Sequence, residues 1–131
     1  MTRAVDEVER DMIFVLAARQ EVSVFVHVRG GIDGDPAGLL EVIESAERHR
    51  AAVDICHLNA SAMSGVDDWL EEIDAARARG VDVTTEKSPW TSGSAAISSD
   101  VFSRNWREIF GIDYTDVQWA ETGEWLTEET F

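Results

Sequence analysis

The amino-terminal third of the chain contains a pattern of apolar positions that is typical of β-structure. Apolar residues stand at every second position from Val22 to Val28, as in a half-buried strand. A short apolar run, Ile13–Ala17, precedes this segment, and the polar residues Arg19–Glu21 between the two indicate a turn. The pattern therefore predicts two strands that pair as a β-hairpin, with residues 1–11 as a helical lead-in.

The middle of the chain alternates between helical and strand patterns. Apolar residues at helical spacing predict helices over residues 37–50 and 66–79, and Gly80 is well placed to follow the second. The continuous apolar segment Ala51–Leu58 lacks Pro and Gly and predicts a central strand, and Val81–Thr85 predicts another. The apolar face of the second helix is predicted to comprise Val66, Trp69, Leu70, Ile73 and Ala76.

The carboxy-terminal third predicts a helix over residues 100–110 that ends at Gly111, a short strand at Asp116–Trp119 and a terminal helix anchored by Trp125 and Leu126. The complete order is β-β-α-β-α-β-α-β-α. Strands alternating with helices indicate an α/β fold with a mixed, mostly parallel sheet and helices packed mainly on one face. The length of 131 residues fits one domain over residues 1–131.

The charge of the chain narrows the choice of partners. Asp and Glu total 26 against 11 Lys and Arg, which gives a net charge of −15. Such a chain is not expected to bind nucleic acid or an anionic membrane, because both require clustered cations. Such a charge indicates solubility or adaptation to a salty cytoplasm, or it attracts a basic protein partner. No apolar run approaches the roughly 18 residues that span a bilayer, and the charged start does not resemble a signal peptide, so we expect a cytoplasmic protein without membrane insertion.

Few residues suggest chemistry. His27 and His57 lie on predicted strands and could approach each other. The sequence nevertheless disfavours a metal site, and it predicts no cofactor. Cys56, the single cysteine, sits in an apolar run and is expected to be a small buried side chain. No nucleophile with a supporting base emerges, so we expect no enzymatic activity. Trp90 either covers an edge of the core or is an exposed anchor for a partner.

Asp33 and Asp35 stand just before Pro36, at the start of the first predicted central helix. Two carboxylates at this spacing could bind a cation. They are more often turn formers or helix caps, since proline suits the first turn of a helix, and the cap is the favoured interpretation.

Three local signals together resemble the STAS domain, the fold of sulfate-transporter tails and bacterial anti-sigma-factor antagonists. The segment VRGGIDGD is similar to the exit of the second strand in that family, with Gly30, Ile32 and Asp33 at the matching positions. The segment from Val53 to Val83 aligns without gaps with the central strand, loop, helix and following strand of the family. The segment WREIFGIDYTDVQWAETGEWL is similar to the family's tail.

The resemblance implies a phosphorylation loop before the second helix, in which an Asp and one or two hydroxyl residues precede a Gly. Here Ala62 and Met63 replace the Asp and the first hydroxyl residue, whereas Ser64 and Gly65 are retained. Ser64 is therefore either a candidate phosphoacceptor or only the cap of the helix. The resemblance implies a partner-binding surface made of Asp33, Met63, Ser64, Gly65, Asp67 and Asp68.

The sequence thus predicts a non-enzymatic, STAS-like module that binds another protein. The resemblance implies a partner of the anti-sigma or kinase type in a partner-switching pathway, or a transporter ATPase on which the module docks. The alternative is a carrier of a small apolar ligand, as in the related STAS/Sec14-like proteins. An open apolar cavity would favour the carrier, and a filled core with an exposed second helix would favour the protein-binding module.

Overall fold

The computed structural model describes residues 5–31 and 34–131. The chain divides into two units, and the boundary along the sequence lies between Gly93 and Ser94. The elements of the first unit are α1 (Glu7–Gln20), β1 (Val24–Val26), α2 (Ala37–His49), β2 (Val53–Ile55), α3 (Leu58–Ala62), α4 (Val66–Ala78) and β3 (Val83–Thr85). Those of the second unit are α5 (Trp106–Phe110), β4 (Gln118–Trp119) and β5 (Glu124–Trp125). The fold class is mixed α/β.

A parallel sheet with the order β1-β2-β3 lies at the centre of the first unit. Val24 pairs with Val53, which in turn pairs with Val83, and the strands stay in register from there. The prediction that Ala51–Leu58 contains a central strand is confirmed, because β2 pairs on both sides.

Helices cover one face of this sheet. Strand side chains alternate, so Val53 and Ile55 are buried in the same apolar cluster as residues of α2 and α4. The opposite row carries Phe25, Asp54 and Thr84, of which Phe25 is 73% exposed. The buried cluster comprises Phe14, Val28, Leu39, Val42, Ile43, Ala46, Ala51, Val53, Ile55, Leu58, Ala62, Trp69, Ile73, Ala76, Val81 and Val83.

The predicted amino-terminal hairpin is wrong, because Ile13–Ala17 belongs to α1 and not to a strand. A capping box starts this helix: the Asp6 carboxylate accepts from the Glu9 N–H at 2.9 Å, and Glu9 accepts from the Asp6 N–H at 3.3 Å. The helix buries Phe14, which points towards α2. The described sheet of the first unit is therefore parallel, and it lacks the antiparallel start that the sequence suggested.

Polar contacts fix α1 on α2. The Arg10 guanidinium donates to Ser45 Oγ at 2.9 Å and to the Glu41 carboxylate at 3.1 Å. Ser45, which is fully buried, donates in turn to Asp11 at 3.0 Å. These hydrogen bonds give the buried Ser45 hydroxyl both a donor and an acceptor, which offsets part of the cost of removing it from water.

The two predicted central helices are confirmed as α2 and α4, with small corrections to their inner faces. Leu70, predicted to belong to the apolar inner face of the second helix, is exposed, and so is Leu40 in α2. Gly80 follows the last residues of α4 with a φ of +92°, the left-handed conformation that glycine adopts without strain.

The second unit differs from its prediction at two places. The helix predicted over residues 100–110 is a 3₁₀ turn, Asp100–Ser103, followed by the short helix α5, which ends at Gly111 as predicted. The strand predicted at Asp116–Trp119 contains β4, and the predicted terminal helix contains instead the strand β5, which pairs with β4 antiparallel. Trp125 is consequently exposed rather than an anchor, whereas Leu126 is buried.

An aromatic cluster forms the interior of the second unit. Trp106 is buried, with its ring centroid 5.6 Å from that of Tyr114 and 5.2 Å from that of Phe131. Phe102 lies 6.0 Å from Trp106 in an edge-to-face arrangement. Among the helices of residues 5–31 and 34–131, none has the length and apolar character needed to cross a membrane.

Candidate functional site

The residues that directly follow the three parallel strands carry polar side chains. His27 follows β1, His57 lies two residues beyond β2, and Glu86 follows β3. Parallel strands place their carboxyl ends at one edge of the sheet, which is where ligands bind in open α/β folds. Three segments that are remote in sequence therefore meet at this edge.

The two histidines are in direct contact. His27 Nδ1 lies 3.0 Å from His57 Nε2, and the ring centroids are 4.7 Å apart. A hydrogen bond at this distance needs one ring nitrogen to donate and the other to accept. His27 is exposed and His57 is half-buried, so the facing nitrogens lie at the edge of the sheet and not in the core.

The backbone holds His57 in an uncommon conformation. Its φ of 37° lies in the left-handed region, which few residues other than glycine adopt. The His57 N–H donates to the Glu86 carboxylate at 3.3 Å, and the His57 carbonyl accepts from the Ala60 N–H at 2.9 Å as α3 begins. The strand-to-helix turn thus brings the imidazole back over the end of β1. Backbone strain retained at such a position is typical of functional sites.

Ser61 fixes the other side of the His57 ring. Its Oγ lies 3.3 Å from His57 Nδ1, four residues along α3 and on the same face of the helix. Ser61 is buried, so its position depends on the packing of α3. If Nδ1 donates to this hydroxyl, the lone pair of His57 is on Nε2, the atom that faces His27.

Two hydrogen bonds between α3 and the segment after β3 also stabilise the arrangement around His57. The Asn59 side chain donates to the Ser88 carbonyl at 3.3 Å and accepts from the Ser88 N–H at 2.9 Å. The Leu58 N–H also donates to the Glu86 carbonyl at 3.0 Å. These bonds join the ends of β2 and β3.

The surroundings of His27 favour its neutral form. Partial burial, and to a lesser degree the electrostatic effect of His57, lower the pKa of His27 from its ordinary value. Cys56, next to His57, is half-buried and thus less buried than the sequence suggested. Its burial and the carboxylates of Glu86 and Asp54 raise the pKa of the thiol, which is therefore a poor nucleophile.

No family model, curated protein or solved structure matches this chain. The resemblance to STAS domains therefore stays a prediction.

The structure places the residues of the predicted partner-binding surface in different environments. Ser64 is exposed in the 3₁₀ turn Met63–Gly65, and Asp67 and Asp68 are exposed in the first turn of α4. Met63 is half-buried with a φ of 49°. Gly65 is buried, and a Cβ there would lie 2.8 Å from the backbone of Gly34.

The prediction that Ser64 caps the helix is wrong. Gly65 is the N-cap residue of α4, and no side chain makes a capping hydrogen bond there. Asp33 lies outside the described residues. Its neighbour Asp35 supports the predicted helix start, because the Asp35 carboxylate accepts from the Ala37 N–H at 2.9 Å. The first turn of α2 thus has one of its unpaired N–H groups satisfied.

Sequence reasoning noted that His27 and His57 could approach each other but did not predict that their ring nitrogens are in contact. It also missed Ser61 and Glu86. The sequence signal that could have identified these residues is their position at the carboxyl end of a strand or at the start of the next helix. Within residues 5–31 and 34–131 there is no group of three or more His, Cys, Asp or Glu side chains arranged to hold a metal.

Proposed function

We propose that the protein binds a divalent transition-metal ion of the imidazole-preferring class, such as Zn²⁺, through His27 and His57. The observation that carries the proposal is the 3.0 Å separation between His27 Nδ1 and His57 Nε2. Two nitrogens bound to one tetrahedral zinc at about 2.0–2.1 Å are roughly 3.3 Å apart. A small rotation of either ring therefore makes room for the ion.

The surroundings of His57 support the same function. Metal-ligating histidines usually donate their second ring N–H to a neighbouring polar group, which fixes the tautomer and the ring orientation. Ser61 Oγ is at the position for this role, 3.3 Å from His57 Nδ1. Water would complete the coordination of an ion held by two protein ligands. Zn²⁺, Cu²⁺ and Ni²⁺ all accept imidazole, so the chemistry names a class of ion.

Replacing either histidine should weaken this binding. We expect the purified chain to bind one Zn²⁺ near pH 7.5 in isothermal titration calorimetry. His27→Ala and His57→Ala should each lower the affinity at least about tenfold, or about 1.4 kcal/mol. The affinity of the unmodified chain should also fall as the pH drops from about 7 to 5, because protons compete with the metal ion for the imidazole nitrogens.

The third histidine provides the matched control. His49 lies in α2, and His49→Gln should leave the zinc affinity unchanged if circular dichroism shows the variant folded. Equal zinc affinity in the chain and in both alanine variants would exclude the proposal, as would a stoichiometry near zero.

A second candidate function follows from the exposed turn before α4. We propose that the module binds a protein partner through Met63, Ser64, Asp67 and Asp68, as the STAS resemblance implies, with Ser64 as a candidate phosphoacceptor. The observation in favour is that Ser64 is exposed in the turn that precedes an acidic first turn. Partner switching with an anti-sigma or kinase-type protein, and docking on a transporter ATPase, both belong to this proposal.

Charge at Ser64 should have little effect on the fold. Since no side chain caps α4, Ser64→Ala and Ser64→Glu should each change the free energy of unfolding by less than about 0.5 kcal/mol in urea titrations. Asp67 and Asp68 already place negative charge at this helix start. Ser64→Glu should therefore lower the affinity for a partner by less than tenfold, which is less than about 1.4 kcal/mol. A hundredfold loss with unchanged folding would instead show a working phosphorylation switch.

A further inference from the structure

The outward face of α1 is apolar although no described element covers it. Four residues of α1, Val8, Met12, Ile13 and Leu16, form this α1 outer face, and each is at least 45% exposed. Phe14 and Ala17 of the same helix are buried. Isolated exposed apolar residues are common, but a contiguous row on one face marks an interaction site.

The row has the geometry of a helix-packing surface. Val8, Met12 and Leu16 follow each other at intervals of four residues, and Val8 and Met12 are 78% and 57% exposed. Side chains at this interval form a ridge that fits the groove between ridges of a second helix. The α1 outer face therefore fits an amphipathic helix with an apolar stripe of its own.

The charges around the face select the partner. The first turn of α1 carries Glu7 and Glu9. Glu7 pairs with Arg48 of α2 at 3.5 Å but stays 67% exposed, and Glu9 is exposed as well. Arg10 faces α2, where it contacts Glu41 and Ser45, so Arg19 is the exposed basic residue of this helix. A second copy would bring another charge of −15 with few cations to offset it, whereas a basic helix would gain attraction.

We propose that the α1 outer face docks an amphipathic helix of a protein partner whose apolar stripe is flanked by lysine or arginine. The apolar stripe packs on the Val8–Met12–Leu16 ridge. The basic flanks lie near the acidic first turn of α1. This interface is separate from the histidine pair and does not depend on metal binding.

Three designed peptides test the proposal against the full chain. The first is a helical leucine–lysine peptide of about 18 residues, long enough to form a helix. The second replaces its lysines with glutamate, and the third keeps the lysines but replaces the leucines with serine. In fluorescence titrations, the first should bind saturably and at least tenfold more tightly than either of the others. Its affinity should fall when NaCl rises from about 0.05 to 0.5 M.

Variants of the chain locate the interface. The double variant Val8→Ser, Met12→Ser should bind the leucine–lysine peptide at least tenfold more weakly and keep its circular dichroism spectrum, because both side chains already face solvent. Leu70→Ser, a change at an exposed leucine of α4, is the matched control and should bind normally. His57→Ala should also bind normally, so failure here and failure of the zinc proposal are distinguishable.

Four outcomes would overturn the proposal. They are equal binding of the glutamate peptide, equal binding by the double variant, a dimer in sedimentation equilibrium that the double variant loses, and binding to phosphatidylcholine vesicles that the double variant loses. The third outcome would assign the face to a second copy, and the fourth to a lipid surface.

Discussion

Replacing Trp69 with alanine is expected to lower the free energy of unfolding by about 3–5 kcal/mol. Trp69 is fully buried in the apolar cluster of the first unit, and its indole N–H donates to the Gly34 carbonyl at 3.0 Å. Alanine would leave a large cavity between α4 and the segment after β1. It would also leave the Gly34 carbonyl without this donor.

Urea unfolding followed by circular dichroism measures this loss. Trp90→Ala is the matched control, because Trp90 is 77% exposed and its removal should change the free energy of unfolding by less than about 0.5 kcal/mol. Trp69→Phe should fall between the two, since the ring remains but its hydrogen bond does not. Equal losses for Trp69→Ala and Trp90→Ala would show that Trp69 does not anchor the core.

The elements that sequence predicts well are those whose pattern is set by local burial. Alternating valines before Arg29 predict β1, since Val24 and Val26 face the helices while Phe25 faces the open side of the sheet. The helical spacing of α2 and α4 predicts both helices to within a few residues, because each packs one face on the sheet. The core of the first unit was largely predictable for this reason.

The strand predicted at Ile13–Ala17 shows why short apolar runs mislead. Five apolar residues fit a buried strand and a helix equally well, because periodicity cannot separate the two over so short a length. A capping signal was present in the sequence, since Asp6 and Glu9 have the spacing of a capping box. Reading this signal first would have placed the run inside a helix.

The prediction of a terminal helix was wrong for another reason. Trp125 and Leu126 suggested an amphipathic helix, but only Leu126 is buried. The turn between β4 and β5 depends on Gly123, whose φ is +74° and whose N–H donates to the Trp119 carbonyl at 2.8 Å. Thr122–Gly123 is a turn signal, and the short pairing beyond it has no periodicity of its own.

The candidate site was only partly predictable. Histidines thirty positions apart, His27 and His57, come together because β1 and β2 are parallel neighbours in register. Topology alone predicts that they lie at one edge of the sheet. The contact of their ring nitrogens depends on the left-handed turn at His57, which the sequence does not signal, because a histidine does not by itself indicate that conformation.

The second large effect is expected at Gly31, in the loop after β1. Its φ is +87°, and a Cβ there would lie 2.6 Å from the Ser61 carbonyl oxygen and 2.6 Å from the Trp69 ring. A side chain at this position is strained by the backbone conformation, which costs about 1–2 kcal/mol. It must also displace a backbone carbonyl and a fully buried ring, and overpacking costs about 1–3 kcal/mol more.

Gly31→Ala should therefore lower the free energy of unfolding by about 2–5 kcal/mol. The neighbour Gly30 separates the two causes, because its φ is +74° but no atom lies within 4 Å of a Cβ built there. Gly30→Ala should lose only the conformational part, about 1–2 kcal/mol, in the same urea titration. Because Ser61 contacts His57, Gly31→Ala should also weaken zinc binding, whereas Gly30→Ala should not. Equal losses of stability in the two variants would show that the loop yields and that Gly31 is needed only for its backbone conformation.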